Sequence, residues 1–180
     1  MKIIDYSLRL LVLCAIASGL LTYVYESTAS RIAENVAKEK SVKARSILPG
    51  DTAVVKEFKD GTMTFFRGYS KGGLNGTVVE ASSKGYGGPI NLLVGIDKDG
   101  RVIDVAVASH KETPGLGAKI EESRFIGQFK GRSAAEAVLK KDSGNNDGVD
   151  AIAAATISSR AVTKAVKESL EIYGEVKNVR

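Results

Sequence analysis

Three stretches of this chain hold residue types that could bind or modify a ligand. The first is DAIAAATISSRA, residues 150–161, where the hydroxyls of Thr156, Ser158 and Ser159 stand just before a helical pattern. A helix start offers unpaired N–H groups and the positive end of the helix dipole, which together favour a phosphate. The local alternative is an N-cap by Ser158 or Ser159. A cap explains one hydroxyl and leaves Thr156, and the small approach of Ala153, Ala154 and Ala155, without a purpose. The second stretch is HKETPGLGAKI, residues 110–120. Pro114, Gly115 and Gly117 shape a turn around Leu116, and Glu112 and Thr113 add polar groups at what reads as the end of a strand. His110 is the only histidine, with no carboxylate or serine at a catalytic spacing in the sequence. No general base, and no catalytic residue, is expected. The third stretch is KGYGGP, residues 84–89, in which Gly85, Gly87 and Gly88 beside Tyr86 would let backbone approach a ligand closely.

Composition narrows what such a ligand could be. The chain has 180 residues, 43% hydrophobic and 26% charged, as a globular domain with a modest extra segment requires. It has no Trp and only 6% aromatic residues, which argues against a cofactor stacked between several rings. One cysteine, Cys14, and one histidine exclude an internal disulfide and a Cys/His metal site. The net charge of +5 is dispersed, and Lys38, Lys40, Lys43 and Arg45 are interrupted by Glu39 without interleaved aromatics. A nucleic-acid partner is not expected.

The elements that must position these stretches follow from the hydrophobic pattern. Residues 10–25, LLVLCAIASGLLTYVY, carry no charge and are flanked by Arg9 and Glu26. Such a run is short for a membrane span but usable with Leu8 and snorkelling flanks. Tyr6, Tyr23 and Tyr25 sit where interfacial aromatics belong. A secretory signal peptide, with Lys2 and Arg9 leading and Ser27-Thr28-Ala29 as cleavage site, is the competing reading; a retained single anchor behind a short tail (1–9) is the expectation. Flanking charges do not settle its orientation. Residues 26–48 read as a charged helical stalk with Ile32 and Val36 on one stripe, ended by Pro49-Gly50. A single α+β domain is expected over 51–174, before a tail at 175–180. TMTFFRGYS and GTVVEAS read as strands, and INLLVGIDKDGRVIDVAVAS as a hairpin turning at residues 97–100. Helices are predicted over AKIEESRFIGQF and over SAAEAVLKK, the latter capped by Ser133, with SGNNDG as a loop. A last helix places Val162, Val166, Leu170 and Tyr173 on one face and stops at Gly174.

Together, GYGGPINLLVGID, HKETPGLG and DGVDAIAAATISSRAV resemble, in order and spacing, the FMN-binding domain of the RnfG family, the G subunits of the Rnf complex. That complex is the membrane-bound ion-translocating ferredoxin:NAD oxidoreductase, and the C subunit of sodium-translocating NADH:quinone reductase shares the domain. The resemblance covers nearly the whole chain, anchor included. It implies an antiparallel sheet with flanking helices, and FMN joined by a phosphoester to the threonine of an S/T-G-A-T motif. The matching residue is Thr156. Ala155 also matches, whereas Ala153 and Ala154 stand where Ser or Thr and then Gly are usual. The resemblance further implies that Ile157, Ser158 and Ser159 adjoin the phosphate. The ring would lie against Glu112, Thr113, Gly115, Leu116 and Gly117, with Tyr86, Gly87 and Gly88 nearby. The implied function is electron carriage among the other iron–sulfur and flavin subunits, in a bacterial or archaeal cell membrane, with the FMN domain on the extracytoplasmic side. The span carries no charge between Arg9 and Glu26, so ion movement is expected elsewhere. The equivalent subunit of the quinone reductase, and a flavin-free membrane-tethered assembly subunit, are the alternative readings.

Overall fold

The computed structural model describes residues 2–60, 63–144 and 147–178. The chain divides into two compact units, Met1–Lys40 and Ser41–Arg180. One helix, α1 (Lys2–Ile47), begins in the first unit and ends in the second. It is the one helix among the described residues long and apolar enough to cross a membrane. Within the first unit Leu10, Leu13, Leu20 and Leu21 are all exposed. The hydroxyls of Ser18, Thr22, Ser27 and Thr28 donate back to the carbonyls of Cys14, Ser18, Tyr23 and Val24. A helix that satisfies its own hydroxyls in this way leaves few polar groups in need of water. Residues 2–47 of the tail (1–9), span (10–25) and stalk (26–48) read from the sequence fall on this helix, and Met1 lies outside the described residues.

The second unit is built on a five-stranded sheet in which every neighbouring pair is antiparallel. Its strands are β1 (Val54–Asp60), β2 (Met63–Ser70), β3 (Gly73–Lys84), β4 (Pro89–Ile96) and β5 (Val102–Ser109), adjacent in chain order. Strand β1 is an addition to the sequence reading. Its VVKEFKD alternation is masked by interspersed charge, as befits an edge strand. The turn between β4 and β5 falls at the expected residues 97–100, where Asp97 accepts from the backbone N–H groups of Asp99 and Arg101.

Period-two alternation sends successive side chains to opposite faces of this sheet. Phe65, Val79, Leu92, Val94 and Val105 face the larger core, and Phe66, Val78 and Leu93 the smaller. After β5 the chain makes short helical turns, including α2 (Ser123–Ile126) and α3 (Lys140–Ser143), before α4 (Thr156–Asn178). Helix α4 packs across β3 and β4 and buries Ala161, Val162, Ala165, Val166, Leu170 and Tyr173 in the larger core. The smaller core is closed by the last turns of α1, through Ala44 and Ile47, and by Leu48 just beyond them. Gly95 makes this possible, because a Cβ there would collide with Ile47.

Three expectations need correction. The helix predicted over residues 118–129 is broken into a 3-10 turn (Gly117–Glu121), α2 and a second 3-10 turn (Gly127–Phe129). Its buried residues Ile120, Phe125, Ile126 and Phe129 do not lie on one 3.6-residue stripe, so one straight helix could not bury them all. The helix predicted over residues 133–141 is a single turn followed by an isolated parallel bridge from Leu139 to Val149. Ser133 and Glu136 keep one half of a capping box, the Ser133 N–H and hydroxyl both donating to the Glu136 carboxylate at 2.8 Å. That N–H is the main reason the Glu136 carboxyl is held below its ordinary range. Burial of Ala137 and Leu139, two residues apart, then demands extended backbone. Finally, α4 does not stop at Gly174 but runs to Asn178. Asn145 and Asn146 of the SGNNDG loop, and residues 179–180 of the tail, lie outside the described residues.

Candidate functional site

The site is organised by Glu112, which leaves β5 three residues after its last position and is only 5% exposed. Its Oε1 accepts the Gly87 N–H at 3.0 Å, and its Oε2 accepts the Ser158 hydroxyl at 2.5 Å. One carboxyl group therefore ties the β3–β4 turn and the start of α4 to its own loop. The glycines of the motifs are the space it needs. A Cβ on Gly85 would strike Oε1, and one on Gly117 would strike Oε2. The glycine-rich turn closes by a Gly85 N–H to Gly88 carbonyl bond of 2.8 Å. The HKETPGLG loop closes on the Thr113 carbonyl, which accepts from Leu116 and Ala118.

His110 supports the same loop. Its Nδ1 accepts the Glu112 N–H at 3.0 Å, and its Nε2 lies 3.2 Å from Glu121. The carboxylate partner missing from the sequence spacing is thus supplied by the fold.

Thr156 is the first residue of α4, so the expected N-cap by Ser158 or Ser159 is replaced by another arrangement. Both serines lie within the first turn. Ser159 is fully buried, its hydroxyl donating to the Ala155 carbonyl at 2.9 Å and accepting the Ile152 N–H at 3.0 Å. Ser158 is engaged by Glu112. Neither caps, because both lie inside the helix, with Ser159 tied to the approach and Ser158 to Glu112. The Thr156 hydroxyl is left to accept from Lys141 Nζ at 3.0 Å. Lys141 is a site residue that sequence reasoning missed; no local pattern links it to Thr156, fifteen residues on. It is presented by α3, which a bidentate Arg160–Asp142 pair joins to α4 at 2.9 and 3.1 Å. This pair holds the Asp142 carboxyl below its ordinary range. Ala154, also missed as a lining residue, adopts φ +59°, a left-handed conformation rare for a residue with a side chain.

These elements form an open cavity of about 480 Å³ lined by Tyr86, Glu112, Thr113, Leu116, Gly117 and residues 154–158. Its size suits a drug- or cofactor-sized ligand. Tyr86, Leu116 and Ile157, three of the few large apolar side chains exposed outside α1, all line it. The structure therefore brings together Tyr86, Glu112, Thr113, Leu116, Gly117, Ala155, Thr156, Ile157 and Ser158 from three separate stretches. Gly87, Gly88, Gly115 and Ser159 are not among the lining residues. Gly88 and Gly115 supply positive φ, and Gly87 and Ser159 supply hydrogen bonds behind the wall.

Residues 85–171, which hold all three stretches apart from Lys84, match the FMN-binding domain family. The G subunit of the proton-translocating ferredoxin:NAD(+) oxidoreductase complex of Clostridium ljungdahlii is 52% identical over 94 residues, covering 52% of this chain and 51% of that protein. The chain thus spans about half the length of that relative. The G subunit of the ion-translocating oxidoreductase complex of Stutzerimonas stutzeri is 34% identical over 178 residues, covering 92% of this chain and 78% of that protein. Among solved structures, the C subunit of the Na(+)-translocating NADH-quinone reductase of Parabacteroides distasonis superposes with a TM-score of 0.53. It is 25% identical, over 63% of this chain and 61% of its own. With a similarity that runs through nearly its whole length, the chain, which contains an FMN-binding domain, belongs to the family of G subunits of the ion-translocating oxidoreductase complexes.

Proposed function

We propose that this chain is an electron-carrying subunit of a ferredoxin:NAD oxidoreductase complex, with FMN held in the 480 Å³ cavity as a phosphoester on Thr156. The observation that carries this reading is the Thr156 hydroxyl. It stands at the first position of a 23-residue helix, on the lip of an apolar-walled cavity, with a lysine ammonium 3.0 Å away. The donor set fits a phosphate ester: the hydroxyl is the point of attachment, the first N–H groups of α4 have no acceptors within the helix, and Lys141 brings a cation. Tyr86, Leu116 and Ile157 would offer apolar contact to a flat ring, and the loop from Thr113 to Gly117 a backbone edge. When bound, FMN supplies one-electron transfer chemistry of its own, so no general base is required of the protein. The chain's residues bind and orient, and Glu112 and Ser159 hold the walls in register. The Thr156 ester makes retention independent of affinity. Helix α1 is proposed to anchor the chain in the cell membrane with the FMN domain on the extracytoplasmic side, beside iron–sulfur and flavin subunits.

The test is a denaturing gel viewed under ultraviolet light, together with intact mass. Wild-type chain should give a fluorescent band and the mass of one FMN ester, both lost in Thr156→Val. A dark wild-type band from an assembled, active complex would sink the covalent assignment.

A further inference from the structure

We propose that Glu112 is a buried negative charge that lowers the reduction potential of a flavin held in this cavity, an inference that rests on the FMN reading above. Glu112 lines the cavity yet is only 5% exposed, so its side chain adjoins the ligand space while being otherwise enclosed by protein. Both oxygens accept hydrogen bonds, from Gly87 at 3.0 Å and from Ser158 at 2.5 Å, which is the pattern of a carboxylate. Both donors are neutral. They orient and solvate the charge but do not cancel it as a paired cation would.

The surrounding chain makes room for this group at two positions. Cβ atoms at Gly85 and Gly117 would each collide with one of its oxygens. If the requirement were only to tie the loops together, a neutral amide could do so without placing a charge beside the cavity. Uptake of one electron from a donor adds one negative charge to the ligand space unless a proton follows it. A carboxylate on the cavity wall, itself nearly shielded from solvent, opposes that gain. The oxidised form is favoured, and the midpoint falls. Lys141 and the start of α4 act in the opposite sense, so the variant comparison measures the share of Glu112 alone.

The experiment uses the full-length chain in detergent, produced in cells that load wild type with flavin, and reduced stepwise against reference dyes. Glu112→Gln keeps an acceptor for the Gly87 N–H and removes the charge. The expected result is an unchanged flavin mass and a midpoint shifted to more positive potential. A fully loaded Glu112→Gln chain with an unchanged or lower midpoint would overturn the proposal and leave Glu112 as a positioning residue for the loops. Should Glu112→Gln fail to fold or load, Ser158→Ala decides, because it keeps the charge and removes one of its neutral donors. A lower midpoint in that variant supports the proposal; an unchanged or higher one overturns it. Wild type without a flavin mass overturns the FMN reading and this inference together, whereas a loaded wild type with either adverse midpoint overturns this inference alone.

Discussion

At the residue scale the site turns on two side chains next to each other in space and one strained backbone. Lys141 donates to Thr156, so it is poised to meet any phosphate attached there. A hydrogen bond to a charged group is worth roughly 1.5–3 kcal/mol, or about tenfold or more in a rate or equilibrium it controls. Lys141→Met should therefore slow flavin loading on the order of tenfold while leaving the fold intact. In-gel flavin fluorescence over a time course of expression reads this directly, and an unchanged rate would remove Lys141 from the site. Ala154 carries the strain. Its φ of +59° brings Cβ too close to the neighbouring carbonyl, at the position where the resembling motif has glycine. Replacing it with glycine should stabilise the domain by roughly 0.5–1 kcal/mol, the steric relief outweighing the extra freedom of the unfolded chain. Denaturant unfolding of Ala154→Gly against wild type measures it. A loss of stability would mean that the left-handed backbone is comfortable as it stands.

At the scale of elements, the site depends on how short pieces are clamped to α4. Helix α3 has four residues and no stability of its own. The Arg160–Asp142 pair attaches it, and Arg160 holds the Asp142 carboxyl below its ordinary range, first by hydrogen bonding and then by charge. The sign follows from the lowered folded value. The contribution is present above the ordinary carboxylate range and is lost as pH falls through the depressed value. An NMR titration should find Asp142 ionising at lower pH than an unpaired aspartate, with Lys141 signals moving in step. An ordinary midpoint for Asp142 would show the clamp to be open in solution. On the opposite wall, Gly117→Ala should cost roughly 1–3 kcal/mol, because overpacking forces its neighbours aside. The new methyl group meets the Glu112 carboxyl and stands 2.8 Å from Ser158 Oγ. A melting curve unchanged from wild type would mean that the loop yields without cost.

At the scale of the whole molecule, the boundary of the folded domain falls inside a helix. The last turns of α1 belong to the second unit, where Ala44, Ile47 and Leu48 cover Phe66, Val78 and Leu93. A chain beginning at Ser41 keeps this cover, whereas one beginning at Pro49 exposes the smaller core. Burial of two large aliphatic side chains is worth roughly 3–6 kcal/mol, so the shorter chain should unfold at much lower denaturant concentration or aggregate. Equal midpoints for the two truncations would show that the α1 end contributes nothing to the core.

How far each feature can be read from the sequence follows from where its physics lives. Strands β2 to β5 and the apolar face of α4 are legible because alternation and the 3.6-residue stripe are local consequences of burying one face. The turns between β5 and α4 are not. Ile120, Phe125, Ile126 and Phe129 are spaced by contacts with the sheet rather than by a helix of their own, and Leu139 is extended because Val149 pairs with it. The three motifs identify the residues around a shared ligand, since small residues and hydroxyls at a helix start have a chemistry that does not depend on distance. Their roles come from the way the folded chain brings them together. Glu112 is a buried tie because Gly87 and Ser158 converge on it from 25 residues before and 46 after. Ser158 and Ser159 are withdrawn from capping, and Thr156 is left with Lys141 upon it. Within DAIAAATISSRA, residue order is enough to say which hydroxyls are available. Which of them remains for a ligand depends on long-range packing, and no local pattern carries it.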